Sequence, residues 1–289
     1  MVGTDGSARA DKAVMWAAKH ASQRTVPIPL AIIYAIPENP NPSAAVQEAR
    51  ADDAGRWDSK RVVGETVVNG AADRVRLAYP DLQVEPLVVR GHPAEVLARA
   101  GADADQVIVG SRGLGSRGLF NILGSSTDHI VANAQGTVAV VPEHIEDRLD
   151  GPVVLGLDDS EPGSIATGRA FQAASLRGVP LTVIHAAEGR SADTTRKEAE
   201  RLIKDKVAAF PDVQVTIETP SGRPENAIIE ASKTAGLVVI GSMGRGGFTG
   251  LRLGSTTRHV LHESRCPVVV TRSLAGWADQ IGRPVSAAH

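Results

Sequence analysis

A glycine-rich stretch late in the chain carries the clearest chemistry of the sequence. The segment GSMGRGGFTGLRLGS (241–255) follows an apolar run and leads into a helical pattern. Gly241, Gly244 and Gly254 have the spacing G-x2-G-x9-G. Backbone N–H groups at glycine approach an anion closely because no Cβ intervenes. The segment therefore predicts a phosphate-binding loop, against the alternative of an ordinary flexible connection between a strand and a helix.

Polar and basic residues of this loop fit the same chemistry. Ser255 stands where the helix should begin, so its hydroxyl and the first helical N–H groups can bind phosphate. Arg245 and Arg252 lie within the loop and can neutralise charge. Asp158 follows an earlier apolar strand in LGLDDS (155–160). An aspartate there is often a turn or N-cap residue, but beside the glycine loop we favour a ligand role.

Patterns typical of rapid catalysis are missing from the sequence. It contains no G-x4-G-K-[S/T] motif and no assignable Ser/His/Asp set. Between residues 110 and 125, and between 241 and 255, no acidic residue is present to hold Mg²⁺ near phosphates. A single cysteine excludes an internal disulfide and a cysteine-rich zinc site. These features favour phosphate binding by the loop without rapid catalysis.

The chain repeats itself over a whole domain length. Asp5 in VGTDGS (2–7) matches Asp158 at an offset of 153 residues. GHPAEVLARA (91–100) matches GRPENAIIEA (222–231) at an offset of 131. LGSSTDHIV, at 123–131, matches LGSTTRHVL at an offset of 130. We predict domains at 1–142 and 152–273, a linker at 143–151 and a C-terminal tail at 274–289.

Strands and helices alternate within each repeat, and these elements must position the loop. In the second repeat, apolar runs such as PVVLGLD (152–158) and LVVIGS (237–242) are typical of buried strands. Alternation with helical segments predicts a parallel sheet covered by helices on both faces. Ligands of such doubly wound α/β sheets bind beyond the carboxyl ends of the strands, where the winding direction switches.

The aspartate, the glycine loop and a final PVVV-type strand, all present twice, resemble the universal stress protein family in its ATP-binding branch. The resemblance covers about residues 2–142 and 152–273. It implies two tandem doubly wound domains, each with a five-stranded parallel sheet. It also implies ATP, with Mg²⁺ as an option, at the carboxyl edge of the sheet, pairing of the two halves within the chain, and a regulatory role in stress or dormancy. Two alternatives stay open: a slow ATP-hydrolysing enzyme, and a nucleotide-free dimerisation scaffold, which is typical of the other branch.

The resemblance assigns nucleotide-binding positions in both repeats. In the second repeat they are Gly156, Asp158, Gly241, Ser242, Gly244, Arg245, Gly254, Ser255 and Thr256. In the first repeat they are Gly3, Asp5, Gly110, Gly113, Gly124, Ser125 and Ser126. Ten residues separate Gly113 from Gly124, one more than in the second repeat. Because an extra residue can displace Gly124 from the phosphates, we expect the second site to bind ATP more tightly.

Composition limits the other function classes. The 289 residues include 31 basic and 33 acidic side chains, a formal net charge of −2 that argues against a broad nucleic-acid surface. Aromatic residues, at 3%, do not suffice for a base-stacking platform. No apolar run reaches the roughly 18–20 residues that span a bilayer, and no signal peptide is apparent. We expect a cytoplasmic protein without membrane or nucleic-acid partners and leave a homodimer open.

The first strand of the first repeat is shorter than its counterpart. Only Met1 and Val2 precede Gly3, whereas Pro152, Val153 and further apolar residues precede the matching position of the second repeat. Either the natural start lies upstream or the first domain tolerates a shortened strand. If that strand is central, its shortness should weaken the first domain.

Overall fold

The computed structural model of the chain describes residues 1–24, 26–37, 53–112, 123–143, 150–187, 189–244 and 253–272. The chain divides into two compact units near Ile145. Each unit repeats the alternation of strand and helix that the sequence predicts, and each is described below by itself.

The first domain is a parallel sheet with the strand order β3-β2-β1-β4-β5. Its chain order is β1 (Val2–Gly3), α1 (Ala8–Ser22), β2 (Leu30–Ile36), α2 (Asp53–Ala78), β3 (Val84–Arg90), α3 (Pro93–Ala100), β4 (Val107–Gly110), α4 (Ser125–Asn133) and β5 (Val138–Val141).

The second domain repeats this arrangement with the strand order β8-β7-β6-β9-β10, again parallel. Its chain order is β6 (Val153–Gly156), α5 (Glu161–Arg177), β7 (Leu181–Ile184), α6 (Ala192–Ala209), β8 (Val215–Glu218), α7 (Pro224–Ala231), β9 (Leu237–Gly241), α8 (Ser255–Glu263) and β10 (Val268–Thr271).

The strand order of each domain creates one switch point. In the second domain the chain proceeds from the central strand β6 outward to β8, and then crosses to β9 on the other side of β6. Connections on the two sides of the switch point diverge, which leaves a crevice beyond the carboxyl ends of β6 and β9. The predicted fold class, two tandem doubly wound domains with five parallel strands each, is confirmed.

The core is formed by residues that the sequence places in continuous apolar runs. All of β9 and β10 is buried, as expected for parallel strands covered on both faces. In α5, Phe171 is fully buried and its ring centroid lies 5.9 Å from that of Phe210. None of the helices in the described ranges combines the length and hydropathy needed to cross a bilayer.

The shortened first strand occupies the centre of its sheet. Val2 pairs with Ile32 on one side and Ile108 on the other. The equivalent strand of the second domain, β6, pairs along four residues with each neighbour. β4 therefore pairs with the central strand of its sheet at one residue, Ile108, whereas β9 pairs with the central strand of the second sheet at four residues.

We expect faster amide hydrogen exchange in β4 than in β9, because fewer ladder hydrogen bonds must open to expose its backbone. Hydrogen-exchange mass spectrometry on peptides covering Val107–Gly110 and Leu237–Gly241 measures this difference. Equal or greater protection of β4 would contradict the expectation.

Candidate nucleotide site

Asp158 and Ser160 form a turn at the start of helix α5, and Ser160 connects this turn to the glycine loop. Its Oδ1 accepts a hydrogen bond of 2.8 Å from the backbone N–H of Ser160 and also lies against the Ser160 hydroxyl. Ser160 Oγ accepts from the N–H of Gly163, 3.1 Å away, and caps the start of α5. The same hydroxyl lies 3.1 Å from the carbonyl oxygen of Met243, at the start of the loop. The turn alternative for Asp158 is therefore observed, whereas the N-cap of α5 is Ser160, and the turn holds the carboxylate at the crevice.

Two glycines make room for this carboxylate. A Cβ on Gly163 would overlap Asp158 Oδ1. A Cβ on Gly244 would lie 3.3 Å from Asp158 Oδ2, closer than nearly all real Cβ contacts. The carboxylate therefore sits between the first turn of α5 and the first residues of the glycine loop.

The two ends of the loop are held together by hydrogen bonds at its base. Gly254 N–H donates to Ser242 O, and Ser242 N–H donates to Thr271 O, both at 2.8 Å. Thr257 Oγ1 donates to Gly241 O, also at 2.8 Å. Helix α8 begins at the exposed Ser255 with Gly254 as its N-cap. Because glycine has no side-chain oxygen to cap the helix, the first N–H groups of α8 are suited to an anion.

The first domain has the same loop base. Gly124 N–H donates to Ser111 O at 2.9 Å, and Ser111 N–H donates to Val141 O at 2.8 Å. Thr127 Oγ1 donates to Gly110 O at 2.9 Å. The longer loop thus starts and ends as the shorter one does. Ser125 and Ser126 are exposed in the first turn of α4, as their assignment requires.

Two of the assigned residues lie outside the described part of the chain. Gly113 falls within residues 113–122 and Arg245 within residues 245–252. The extra residue of the first loop belongs to the first of these ranges, so the ranking of the two sites stays a prediction.

The aspartate turn also recurs in the first domain. Ser7 N–H donates to Asp5 Oδ1 at 3.0 Å, and Ser7 Oγ accepts from Ala10 N–H at 3.1 Å to cap α1. Asp5 and Asp158 therefore occupy equivalent positions at the start of their first helices.

The assigned glycines at the first strands have a packing role. A Cβ on Gly156 would lie 2.8 Å from Ile228 Cδ1 and from Ile240 Cγ2. In the first domain, Leu97 packs onto Gly3 in the same way. These glycines let α7 and α3 approach the carboxyl ends of the central strands. Contact of either glycine with a nucleotide stays a prediction.

The fold brings one carboxylate to the site that the sequence argument missed. Glu225, in the first turn of α7, is only 8% exposed. Thr256, an assigned residue in the first turn of α8, donates from Oγ1 to Glu225 Oε2 at 3.4 Å. Glu225 stands outside both loop segments, 110–125 and 241–255, which contain no acidic residue. The repeat alignment contained the signal, because the matching residue of the first repeat is Ala94.

A buried histidine supports the backbone just before Asp158. His185, which follows β7 and is 5% exposed, has Nδ1 2.8 Å from Leu157 O and Nε2 3.4 Å from Glu198 Oε2. Arg190 forms an ion pair with the same carboxylate. Burial alone would raise the pKa of Glu198, but its hydrogen bonds to Arg190 and His185 outweigh that effect and hold this pKa below its ordinary value. The network ties α6 to the end of β6.

Fold and site together define a tandem doubly wound α/β protein in which hydrogen bonds join the two ends of a glycine-rich segment at the switch point of each domain. The family model described as "Universal stress protein family" matches residues 1–142 and 151–272. The chain belongs to this family.

Relatives of the same organisation are found in mycobacteria and archaea. Universal stress proteins of Mycobacterium tuberculosis, over 294 aligned residues, and of Mycolicibacterium smegmatis, over 291, are each 33% identical to this chain. Both alignments cover 94% of this chain and 96% of the relative. The crystal structure of a universal stress protein from Archaeoglobus fulgidus superposes with a TM-score of 0.72. At 20% identity, covering 94% of this chain and 95% of that one, it supports the fold.

The Glu198 network should make stability depend on pH. A carboxylate whose pKa is depressed in the fold contributes stability above its unfolded value of 4.5, and this stability is lost as pH falls through the lower folded value. We expect Glu198→Gln to reduce the fall in melting temperature between about pH 5 and pH 3. The exposed Glu200, changed to Gln in the same helix, should leave the fall unchanged. Identical profiles for Glu198→Gln and the wild type would refute this expectation.

The glycine beneath Asp158 should be intolerant of a side chain. We expect Gly163→Ala to destabilise the second domain by about 1–3 kcal/mol, because the added methyl displaces the carboxylate. Gly168→Ala in the same helix is the control, since a Cβ there would lie 3.7 Å from its nearest neighbour, Lys206 Nζ. The control should be neutral or stabilising by about 0.5–1 kcal/mol. Chemical denaturation measures both, and equal effects of the two variants would contradict the packing argument.

Proposed function

We propose that the chain is an ATP-binding regulatory protein of the cytoplasm that binds its nucleotide without rapid catalysis. The observation that carries the proposal is the closed loop base of the second domain. There the Asp158 turn, Gly244 and the uncapped start of α8 converge on one crevice. Membership of the universal stress protein family supports the same function.

The chemistry of this crevice suits a nucleotide. Backbone N–H groups at the amino end of α8 and the hydroxyls of Ser255 and Thr256 are donors for phosphate oxygens. Asp158 is a hydrogen-bond acceptor for sugar hydroxyls. A molecule with phosphate at one end and a ribose at the other would engage both groups.

The proposal of slow or no turnover is based on which acidic and metal-binding side chains the site contains. The described residues contain no group of three or more His, Cys, Asp or Glu side chains arranged to hold a metal. The loops themselves carry no acidic residue to orient an attacking water. Pairing of the two halves follows from the family resemblance and stays a prediction, and a homodimer stays open.

Nucleotide content is the direct test. We expect purified protein, once denatured, to release adenine nucleotide, and added ATP to raise the melting temperature. We further expect phosphate release well below the usual enzymatic range of about 1–10³ per second. Absence of both released nucleotide and a thermal shift would favour the nucleotide-free scaffold, and turnover within that range would favour an ATPase.

A glycine variant should locate the stronger site. We expect Gly244→Ala to weaken ATP binding by about tenfold or more, because the new Cβ narrows the space between Asp158 and the loop. Gly222→Ala, in the connection before α7, is the matched control, since a Cβ there meets nothing within 4 Å. Calorimetric titration compares the two. Unchanged affinity in Gly244→Ala would contradict the assignment of the loop.

A further inference from the structure

Glu225 lies between two helix starts at the edge of the proposed site. On α7, Ile228 is one turn beyond Glu225 and packs onto Gly156 at the end of β6. The same face of α7 therefore covers the strand that leads to Asp158. Thr256 in the first turn of α8 reaches Glu225 with its hydroxyl. The carboxylate is thus adjacent to the Ser255–Thr256 step, where the phosphates are proposed to bind.

This carboxylate is buried with little compensation. Its Thr256 contact, at 3.4 Å, is at the long limit of a hydrogen bond. Among the described residues, the guanidinium nitrogen that forms an ion pair with it is Arg223 Nη1, 3.7 Å away on a side chain that is 79% exposed. Exposed ion pairs of this kind contribute little, and a buried carboxylate needs a partner. The amino ends of α7 and α8 supply partial positive charge. Bound phosphates, however, would compete with Glu225 for the positive amino end of α8.

The first domain shows that the fold does not require a carboxylate here. Ala94 occupies the equivalent position in α3 and is buried. Leu97, one turn later, packs onto Gly3 as Ile228 packs onto Gly156. Helix and strand therefore meet in the same way with alanine as with glutamate, and the charge is an addition specific to the second site.

Phosphates at the start of α8 would bring several negative charges close to Glu225. Like charges at such range repel strongly where water is excluded. A divalent cation between them removes the repulsion, and Mg²⁺ is commonly held by one or two carboxylates together with substrate phosphates. The carboxylate of Glu225 and the hydroxyl of Thr256 are the hard oxygen donors that such an ion prefers.

We infer that the second site binds its nucleotide as the complex with a divalent cation, and that the Glu225 carboxylate binds this cation. The first site has Ala94 at the matching position and lacks this carboxylate. This inference rests on the proposed nucleotide binding, and it makes the two sites of one chain respond differently to the free Mg²⁺ concentration.

Titration calorimetry of the full chain with ATP, in Mg²⁺ or in excess EDTA, tests the inference. We expect one wild-type site to lose about tenfold or more in affinity when the cation is removed, and the other site to change much less. In Glu225→Gln and Glu225→Ala both sites should become insensitive to the cation. In EDTA these variants should bind ATP more tightly than the wild type, because the repulsion is gone. A purely structural role for Glu225 predicts weaker binding instead.

The converse variant gives an independent control. Ala94→Glu should introduce cation dependence at the first site, and thermal melting checks that each variant is folded. Cation dependence that is the same in the wild type, Glu225→Gln and Glu225→Ala would overturn the inference while leaving nucleotide binding intact. Failure of ATP to bind with or without Mg²⁺ would overturn the proposed function, and the inference with it.

Discussion

The hydrogen bonds of Ser160 connect the parts of the second site. Its backbone N–H and hydroxyl engage Asp158, its Oγ caps α5, and the same oxygen lies against Met243 at the start of the loop. One small side chain therefore fixes the aspartate, the first helix and the entrance of the glycine loop relative to one another. Alanine at this position would leave the Gly163 N–H without its cap.

The geometry around this serine explains the distribution of glycines. Gly163 and Gly244 admit the carboxylate of Asp158, and Gly156 admits Ile228. At Gly163 and Gly156 a methyl group would enter occupied space, and at Gly244 it would crowd the Asp158 carboxylate at 3.3 Å. The sequence alone shows where these glycines stand, but it does not separate those that contact a ligand from those that contact their own chain.

The repeats made the fold predictable to a large extent. Each repeat confirmed the order of elements in the other, and the buried runs of β9 and β10 identified a parallel sheet without further information. These are local patterns with a fixed period, which a sequence records directly.

The composition of the site was harder to predict, because residues far apart in the chain converge there. Glu225 is 31 residues from Thr256, on another helix, and only tertiary packing brings the two together. The support of Leu157 by His185 is likewise a contact between neighbouring strands. Neither Glu225 nor His185 belongs to the loop, so the loop sequence gives no sign of them. A residue-by-residue comparison of the repeats, however, marks Glu225 as a departure, because Ala94 is the matching residue.

The loop base has a consequence for how such a duplicated protein can diverge. In both domains the ends of the loop are joined by backbone hydrogen bonds and one threonine hydroxyl, with almost the same distances. Interior residues can therefore be inserted, lost or exchanged without disturbing the sheet below. After duplication, each copy is free to change its ligand preference independently, while the stability of the domain is protected by atoms that do not depend on the loop's own side chains.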